Sequence, residues 1–379
     1  MPLAHQRLPT AAYIHVPFCA HRCGYCDFTL VAGRDDLVGD YLRALELDLQ
    51  TLEYPRPVQT LFLGGGTPTH LDAPQLDRLL VLVTGWFRLE AEGEFSVEAN
   101  PAGLDDDKLD VLAARGVNRI SLGVQSFDAE LLRVLERDHD EPLVADAVER
   151  LQRRFDNVSL DLIFGVPGQS LALWRRTLAC AVALQPRHIS TYGLTVEKGT
   201  AFWSRRKKGQ LPALPDELER SMYASAMDDL GAAGFEHYEL SNFAQPGFDC
   251  RHNGVYWGGL PYFGFGPGAA RYLNGRRETN HRSVTTWIGR VLERRSAIGQ
   301  AEELSPEERA REALVLGLRR TRGVRHDEFL EATGFELQRL TAGRMQRHLA
   351  GRLVEDSDGV LRLTREGRFL ADSVIVDLL

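Results

Sequence analysis

The sequence predicts an α/β fold in which six parallel strands, each followed by a helix, form a partial barrel. Six short apolar runs of strand length lie between Thr10 and Val196, and amphipathic stretches of helical length separate them. Near-continuous apolar runs are typical of strands that are buried on both faces. Because βα crossovers share one handedness, six units curve the sheet, whereas a closed barrel needs eight. We therefore expect a (β/α)6 partial barrel with an open side.

The six predicted strands are Ala12–Phe18, Thr60–Leu63, Glu94–Ala99, Arg119–Val124, Ser159–Phe164 and His188–Leu194. Two of the helices between them are well marked. The first has apolar residues at helical spacing over Val38–Leu52, and Asp35 or Asp36 is expected to cap its start. The other covers Leu104–Gly116, with acidic residues in its first turn and the glycine at its C-terminal end.

After Val196 the alternation of strands and helices stops. We expect the barrel to occupy residues 1–200, an extension of the barrel residues 201–300, and a C-terminal domain residues 301–379. The elements predicted there are helices at Glu217–Gly234, Pro306–Arg319, His326–Thr333 and Glu336–Arg352, and a hairpin at Leu353–Leu363 with its turn at Asp356–Gly359. Three helices followed by a hairpin indicate a small, mainly helical, winged-helix-like domain.

Charge and composition exclude several classes of function. The chain has 379 residues and a net charge of −8, which argues against a broad nucleic-acid interface. Its longest apolar runs, such as Leu79–Val83, are too short to span a membrane, and no secretory signal is visible in the first ten residues. Three of the five cysteines fall within eight residues, which is a poor pattern for disulfides. We expect a cytoplasmic protein whose clustered thiols bind metal or act in redox chemistry.

The cysteine cluster reads Cys19-Ala-His-Arg-Cys23-Gly-Tyr-Cys26 and directly follows the first predicted strand. Thiolates are the usual ligands of iron–sulfur clusters, and three of them leave one iron of a [4Fe-4S] cluster open to another ligand. A zinc site is an alternative, with His21 or Cys250 as the fourth ligand. A redox pair of Cys23 and Cys26 is a second alternative, which the third cysteine and the order of the elements disfavour.

Glycines or polar residues end several of the predicted strands, where βα barrels carry their working residues. The second strand ends in Gly64-Gly-Gly-Thr-Pro-Thr69, and successive glycines let a backbone approach a ligand closely, although a tight turn needs only one. The other candidates are Glu98, Gln125, Arg137 and Asp161. Structural roles are alternatives for three of them: a solvated loop carboxylate for Glu98, a helix-terminal cation for Arg137 and a paired buried acid for Asp161.

The motif C-x3-C-x2-C, with an aromatic residue before its last cysteine, resembles the radical S-adenosylmethionine superfamily. The resemblance implies a partial barrel, a [4Fe-4S] cluster bound by Cys19, Cys23 and Cys26, and S-adenosylmethionine chelated by the open iron. It also implies that the Gly64–Thr69 segment holds the amino group of S-adenosylmethionine. In such proteins the cofactor supplies the radical chemistry, and the polypeptide orients it and excludes water.

Further motifs resemble the oxygen-independent coproporphyrinogen III oxidase family over nearly the whole chain. These motifs are Tyr13–Phe18, Cys19–Phe28, Gly64–Thr69, Glu98–Pro101, Gly123–Phe127 and Asp161–Pro167. Carried over position by position, the resemblance implies contacts with S-adenosylmethionine from Tyr13, Tyr25, Gly65, Gly66, Thr67, Glu98, Gln125, Arg137 and Asp161.

The sequence departs from the oxidases of that family at two points, and at both it resembles the family's haem-chaperone subgroup. Phe28 stands where the oxidase pattern has a fourth cysteine, and only eighteen residues precede Cys19. The segment from Cys250 to Trp257 resembles the subgroup's His-Asn-x-x-Tyr-Trp element, which is associated with haem binding. His252 is its candidate axial ligand and Cys250 an alternative one, while a packed aromatic patch around a hydrogen-bonded histidine is the structural alternative.

The resemblance implies a haem chaperone that binds haem and delivers it to apo-proteins, without oxidase activity. Its implied partners are haem, haem-accepting apo-proteins that include membrane-associated respiratory enzymes, and an electron donor to the cluster, but no nucleic acid. The alternative function is the radical decarboxylation of porphyrinogen propionates. A radical methyl- or sulfur-transferase acting on RNA is disfavoured by the net charge and by the lack of a second cysteine cluster. Ala270 stands where the family often has a histidine, so the haem pocket is expected to differ there.

Overall fold

The computed structural model describes residues 8–341 and 343–379; residues 1–7, which include most of the segment searched for a secretory signal, lie outside the described residues. The strands are β1 (Ala11–Val16), β2 (Phe18–Cys19), β3 (Val31–Ala32), β4 (Arg56–Gly65), β5 (Phe87–Ala99), β6 (Arg119–Gln125), β7 (Asn157–Phe164), β8 (His188–Gly193), β9 (Glu236–Glu239), β10 (Asn242–Ala244), β11 (Phe263–Phe265), β12 (Ala270–Leu273), β13 (Arg276–Asn280), β14 (Ile298–Glu303), β15 (Val324–Arg325), β16 (Val354–Ser357) and β17 (Val360–Leu363). The helices are α1 (Val38–Leu49), α2 (Ala73–Trp86), α3 (Asp106–Ala114), α4 (Ala129–Val134), α5 (Glu141–Gln152), α6 (Leu171–Ala183), α7 (Ala201–Lys207), α8 (Asp216–Ala232), α9 (Arg251–Trp257), α10 (Val284–Leu292), α11 (Pro306–Leu318), α12 (His326–Thr333), α13 (Leu337–Thr341), α14 (Arg344–Ala350), α15 (Arg365–Phe369) and α16 (Ala371–Leu378).

The barrel has the predicted strand order. Strands β1, β4, β5, β6, β7 and β8 are parallel neighbours in that order, with helices in the connections between them. Each of the six predicted strands is present, and β4 and β5 begin several residues earlier than predicted. The early parts of these two strands, Arg56–Val58 and Phe87–Leu89, pair with each other before an irregularity in the register. The predicted α/β partial barrel is therefore confirmed.

Short strands from the 201–300 region extend the barrel sheet at both edges. Strand β11 pairs in parallel with β1, while β10 pairs antiparallel with β8 and β9 pairs antiparallel with β10. These three strands are not among the predicted elements, because runs of three or four residues have too little periodicity to be recognised. The sheet that they complete has nine strands among the described residues.

The barrel strands have two buried faces of different character. Alternate residues, such as Ile14, Leu61 and Val97, pack under the helices in the main hydrophobic core. The residues between them face the interior of the barrel and include the buried polar residues Thr60, Glu94, Ser96, Arg119, Ser121, Ser159, His188 and Ser190. Several of these pair with one another, as Ser159 Oγ does with His188 Nδ1 at 2.7 Å. The barrel interior is thus a polar, hydrogen-bonded layer.

Local sequence signals set the ends of the two helices that were predicted in detail. Helix α3 has Asp106 and Asp107 in its first turn and Gly116, with a φ of +82°, beyond its C-terminal end, as the sequence predicts, whereas Asp105, predicted within the first turn, is the residue whose side chain caps the helix. The expectation for α1 is wrong. Asp35 and Asp36 lie in a 3-10 turn before the helix, and neither side chain caps it. Asp36 instead pairs with Arg34, because the two side chains are neighbours on that exposed turn.

The C-terminal region has a hydrophobic core of its own, which includes Leu314, Leu361 and Val374. Helices α11 and α12 and the hairpin of β16 and β17 are confirmed, and β15 adds a third strand to the hairpin. The prediction of one helix at Glu336–Arg352 is wrong, because Gly343 adopts a φ of +81° and a new helix begins after it. Residue 342, inside that prediction, is outside the described residues. No helix in the described ranges is long and apolar enough to cross a bilayer.

Candidate functional site

A cavity of about 430 Å³ lies at the C-terminal ends of the barrel strands, and small-molecule sites commonly have volumes of this order. The predicted site residues that line it are Cys19, Cys23, Cys26, Tyr25, Gly65, Gly66, Thr67, Glu98, Gln125, Arg137 and Asp161. The structure therefore brings all three cysteines and most of the other predicted residues together. It does not bring Tyr13 or His252 to this cavity.

The three cysteines lie on one loop that follows β1. The short strand β2 ends at Cys19 and pairs with β3, which fixes the start of the loop. The N–H of Cys26 donates to the carbonyl of Cys23 at 3.0 Å, which makes a tight turn between those two residues. The Sγ of Cys19 lies 3.4 Å from the Thr67 hydroxyl on the neighbouring glycine segment. One loop thus presents three sulfur atoms to one cavity.

Burial disfavours the thiolate form of two of these thiols, Cys19 and Cys26. Burial raises the pKa of Cys19 to about 11, although the Thr67 hydroxyl opposes that shift. Burial also raises the pKa of Cys26. Such thiols are poor nucleophiles unless a metal or a cation stabilises the thiolate. Within residues 8–341 and 343–379, no three His, Cys, Asp or Glu side chains are gathered tightly enough to hold a single metal ion.

Arg137 supplies a cation beside the cysteines. Helix α4 ends at Val134, so Arg137 lies in the loop beyond it and the helix-terminal role is wrong. Its Nη1 is 3.8 Å from Cys23 Sγ, and its Nη2 donates to Asn100 Oδ1 at 2.7 Å and to the Gly123 carbonyl at 2.8 Å. Its Nε is buried without a partner in the described structure. The loop beyond α4 thus places a guanidinium beside the sulfur of Cys23.

The glycine segment after β4 packs against the start of the cysteine loop. The N–H of Gly66 donates to the Val16 carbonyl at 2.8 Å, and the N–H of Thr67 donates to the Phe18 carbonyl at 2.7 Å. A Cβ on Gly66 would lie 2.7 Å from both carbonyl oxygens. Gly65 has a φ of +103°, and a Cβ there would lie 2.2 Å from the buried ring of His15. Packing therefore requires both glycines, and their backbone faces the cavity.

Two acids are enclosed at the cavity. The Gly65 N–H donates to Glu98 Oε2 at 2.9 Å, so Glu98 is not a solvated loop carboxylate. The Ser121 hydroxyl lies 2.9 and 3.1 Å from the two Asp161 oxygens, which pairs that acid as expected. The pKa of Glu98 is raised to about 7, mainly by burial and also by the charge of Asp161, while the hydrogen bond from the Gly65 N–H opposes the shift. Glu98 is therefore about half protonated at neutral pH.

Gln125 and Tyr25 complete the predicted part of the cavity. Gln125 has a φ of +65°, at an irregularity where β6 pairs with β7. Strained backbone of this kind is concentrated at functional sites. The Tyr25 ring meets the ring of Phe202 edge-on, with 6.0 Å between centroids. Phe202 belongs to α7, so this contact brings that helix to the cysteine loop.

Asn100 is a site residue that the sequence reasoning missed. Its Nδ2 donates to Thr67 Oγ1 at 3.0 Å, and its Oδ1 accepts from Arg137 Nη2. It thereby connects the glycine segment to the arginine beside Cys23. The signal was present in the sequence, since Asn100 lies in the quoted motif Glu98–Pro101.

Helix α7 is the second feature that the sequence reasoning missed. The N–H of Phe202 donates to the Gly24 carbonyl at 2.8 Å. Glu136 accepts from Arg205 Nη2 of α7 at 2.7 Å and lies 3.0 Å from His21 Nε2. Because these contacts join residues far apart in the chain, no local pattern signals them. His21, one candidate for a fourth zinc ligand, is thus already paired with Glu136.

Tyr13 supports the site from beneath the cavity. Its hydroxyl lies 3.0 Å from His15 Nδ1, and His15 Nε2 lies 2.6 Å from the Thr29 carbonyl. Burial lowers the pKa of His15 to about 4, so this imidazole is neutral at pH 7. A neutral ring that donates to Thr29 through Nε2 must accept from Tyr13 through Nδ1. The two side chains hold the chain at residue 29, close to the cysteine loop.

His252 lies on α9 and is buried, with an exposed fraction of 1%. Its Nδ1 is 2.8 Å from Thr60 Oγ1 and its Nε2 is 2.9 Å from the Tyr256 hydroxyl. Its ring stacks on Phe62, and burial lowers its pKa to about 3. Both ring nitrogens are therefore occupied, as in the packed aromatic patch given above as the structural alternative. Cys250 lies beside Glu94, away from the cavity, so it is not gathered with the other three cysteines.

Comparisons with known proteins agree with this fold. The model of the radical SAM superfamily matches residues 13–181, and that of the HemN C-terminal domain matches residues 304–370. A Bacillus subtilis (strain 168) protein named heme chaperone HemW is 38% identical, over 96% of this chain and 97% of that protein. The chain belongs to the HemW family of radical SAM proteins.

Two further relatives and one solved structure extend the comparison. The heme chaperone HemW of Escherichia coli (strain K12) is 38% identical over 75% of this chain and 72% of that protein. A zebrafish (Danio rerio) protein named radical S-adenosyl methionine domain-containing protein 1, mitochondrial, is 32% identical over 100% of this chain and 89% of its own length. The coproporphyrinogen III oxidase HemN of Escherichia coli has the same fold, with a TM-score of 0.86, 24% identity and coverage of 99% of this chain and 92% of its own.

Proposed function

We propose that this protein is a haem chaperone, which binds haem and delivers it to apo-proteins. The observation that carries the proposal is its similarity, over nearly the full length of both chains, to proteins named heme chaperones. Because a fold hosts many functions, the site must also suit the ligand. Phe28 and Tyr192 at the rim of the cavity are 59% and 42% exposed. Exposed aromatic rings beside a cavity suit a flat, apolar macrocycle.

We propose that Cys19, Cys23 and Cys26 hold a [4Fe-4S] cluster and that the cavity holds S-adenosylmethionine. Three thiols on one loop, with a guanidinium beside Cys23, fit a thiolate-bound cluster. The glycine segment that lines the cavity, together with Glu98 and Asp161, fits a ligand that carries amino and hydroxyl groups. When bound, the two groups supply one-electron radical chemistry.

In that site the polypeptide itself orients the proposed cluster and its ligand. Arg137 offsets the negative charge of the thiolate at Cys23 and is itself fixed by Asn100 and Gly123. Glu98, near neutral pH, either donates or accepts a hydrogen bond, whichever the ligand requires. Helix α7 packs against the cysteine loop at Gly24 and Tyr25 and so helps to hold the loop in place.

Oxidation of coproporphyrinogen III is the second candidate function, favoured by the fold shared with HemN. Such chemistry needs a closed pocket that places the propionate against the radical, because a misplacement of ~1 Å costs on the order of 100-fold in rate. Phe28, exposed at the cavity rim, stands where the oxidase pattern has a cysteine.

One anaerobic preparation separates the two functions. The reconstituted protein is expected to bind haem and to transfer it to an apo-cytochrome, which is followed in the Soret region. It is expected to form no protoporphyrinogen from coproporphyrinogen III. Decarboxylation over multiple turnovers would overturn the chaperone proposal. Failure to bind or transfer haem would overturn it as well.

We propose His252 as the haem ligand. In the structure both of its ring nitrogens are hydrogen-bonded, so ligation requires α9 to move away from Thr60 or the Tyr256 side chain to turn away. His252→Ala removes the imidazole, whereas Tyr256→Phe frees Nε2 and keeps the ring in place. Each lost hydrogen bond costs about 1 kcal/mol, so both variants are less stable. A ligating His252 predicts a lost haem spectrum for the first variant and equal or tighter haem binding for the second. Unchanged spectra in both would assign His252 a structural role.

The proposed location of the protein is the cytoplasm. Its proposed haem recipients are apo-proteins, which include membrane-associated respiratory enzymes. An electron donor to the cluster is the remaining proposed partner. Immunoblotting of fractionated cells, followed by crosslinking of the haem-loaded protein, tests both parts. Recovery of the protein outside the cytoplasmic fraction would contradict the location.

A further inference from the structure

Helix α7 and the residues that flank it carry a positive patch on a negatively charged protein. Residues 197–210 contain one acidic side chain, Glu197, and five basic ones, Lys198, Arg205, Arg206, Lys207 and Lys208. All five basic residues are exposed. The whole chain has a net charge of −8. The charge of this segment is therefore opposite to that of the protein as a whole, and it is local.

This basic patch lies directly against the cysteine loop. The N–H at Phe202 donates to the Gly24 carbonyl at 2.8 Å, and a Cβ on Gly24 would lie 2.7 Å from the Phe202 ring. Arg205 pairs with Glu136, whose other oxygen meets His21 of the same loop. Gly24 follows Cys23 in the chain. A molecule that docks on α7 thus comes close to the proposed cluster.

Most of the charge on the patch is available to a partner. Arg205 is neutralised by Glu136, and the charge of Arg206 reaches Glu219. Lys207 lies over the ring of Trp203, at 5.3 Å from the ring centroid. Among the described residues, Lys207 and Lys208 take part in no ion pair. Exposed lysines without an acidic partner gain Coulomb energy from an acidic surface and accelerate association with it.

We propose that the basic patch of α7 is the docking surface for an acidic protein that carries single electrons and reduces the cluster. The inference rests on the proposed function, because it requires a cluster at the three cysteines. The step moves one electron from the reduced carrier to the oxidised cluster, and no bond is formed or broken. An acidic carrier fits better than nucleic acid or an anionic membrane, because the rest of this chain is acidic and would be repelled by an extended anionic surface.

The test reverses the charge of the patch and uses reduced flavodoxin, an acidic flavoprotein, as the probe. The variant is R206E/K207E/K208E, in which Arg205 is kept because it holds α7 to the loop through Glu136. The matched control is R294E/R295E/R339E, which changes the net charge equally at exposed positions that do not line the cavity. Calorimetry with oxidised flavodoxin measures binding without the cluster. Stopped-flow measures reduction of the reconstituted cluster by flavodoxin and by dithionite.

We expect the patch variant to lose about tenfold or more in flavodoxin affinity and in the rate of reduction, and the control to lose far less. The rate at which flavodoxin reduces the unmodified protein should decrease when the salt concentration is raised from about 0.05 M to about 0.3 M. Dithionite is a small anion that needs no docking surface, so its rate should differ among the three proteins far less than the flavodoxin rate does. Equal losses in variant and control, or no salt dependence, would overturn the proposal. So would patch-dependent binding to vesicles with about 30% phosphatidylglycerol while flavodoxin reduction is unchanged. Haem binding, measured on the same samples, tests the chaperone proposal separately.

Discussion

Cys23 and Arg137 are in contact at the proposed cluster site. The guanidinium lies 3.8 Å from the sulfur and is fixed by two further hydrogen bonds. Cys180, in contrast, lies on α6 and does not line the cavity. Its sulfur lies 3.9 Å from a Glu141 oxygen. Cys23 is therefore assigned to the cluster site, whereas Cys180 is not.

A variant with Cys23→Ala should lose most of its iron and sulfide after anaerobic reconstitution, because two thiolates cannot replace three. Cys180→Ala is the matched control and should retain the full content. Iron and sulfide per chain, assayed chemically, measure the effect. The ligand assignment would be defeated by full iron and sulfide content in the Cys23 variant.

Glu98 should make the stability of the fold depend on pH. The folded state keeps the proton up to about pH 7, whereas the ordinary pKa is 4.5. Between those values the folded state binds more protons than the unfolded chain, so the free energy of unfolding falls as the pH rises. The loss amounts to roughly 3 kcal/mol above that window. Glu98→Gln retains an acceptor for the Gly65 N–H and should remove this slope.

Urea unfolding from pH 5 to pH 8 measures the Glu98 effect. The control is Glu90→Gln, at an exposed position. The Glu98 variant should be more stable than the unmodified protein at pH 8 and about equal to it at pH 5. Parallel stability curves for the two proteins would contradict the raised pKa.

The glycine segment between β4 and α2 shows how one element shapes the site. Its N–H groups bind the carbonyls of Val16 and Phe18, so it is joined to the chain that leads into Cys19. A displacement of this segment would move the cysteine loop with it.

Gly66→Ala adds a single methyl group, but it should disturb the site more than so small an addition usually does. The added carbon would meet two backbone oxygens at 2.7 Å, and backbone atoms cannot rotate away as a side chain can. A loss of about 1–3 kcal/mol in the free energy of unfolding is expected, with weaker binding of S-adenosylmethionine. Gly289→Ala in α10 is the control, because the added Cβ would meet open space. This variant should have a free energy of unfolding that is higher by about 0.5–1 kcal/mol. Chemical unfolding and calorimetry measure both; equal effects would refute the packing argument.

The predictable parts of this molecule are those with local signals. The six barrel strands, the C-terminal hairpin and the cysteine and glycine segments are all readable because periodicity, glycine and cysteine act over a few residues. The approach of Phe202 to Gly24 was not predictable, since it depends on how a separate helix docks. Nor was the orientation of His252, because only the fold brings Thr60 to one side of its ring and fixes Tyr256 on the other.

Two hydrophobic cores, one in the barrel and one in the C-terminal region, meet through the turn between β9 and β10. Leu240 in this turn belongs to the C-terminal core, although its neighbours pair in the barrel sheet. Its N–H donates to the Arg319 carbonyl at 3.1 Å, and its carbonyl accepts from the Tyr223 hydroxyl at 2.6 Å. The Thr321 N–H also donates to the Tyr238 carbonyl at 3.0 Å. Backbone hydrogen bonds and one leucine thus join the two parts at this turn, and Phe369, which packs against the barrel core and meets the Tyr223 ring edge-on, joins them at a second place.

Leu240→Ala should loosen the C-terminal core before the barrel. Truncation of a buried leucine costs about 2–5 kcal/mol, and this one is 8% exposed. Because Leu240 packs among residues 310–378, amide hydrogen exchange should accelerate there while β6 in the barrel keeps its protection. Leu330→Ala, at a position that is 45% exposed, is the control and should change exchange little. A uniform loss of protection in both cores would mean that they unfold as one unit, contrary to this prediction.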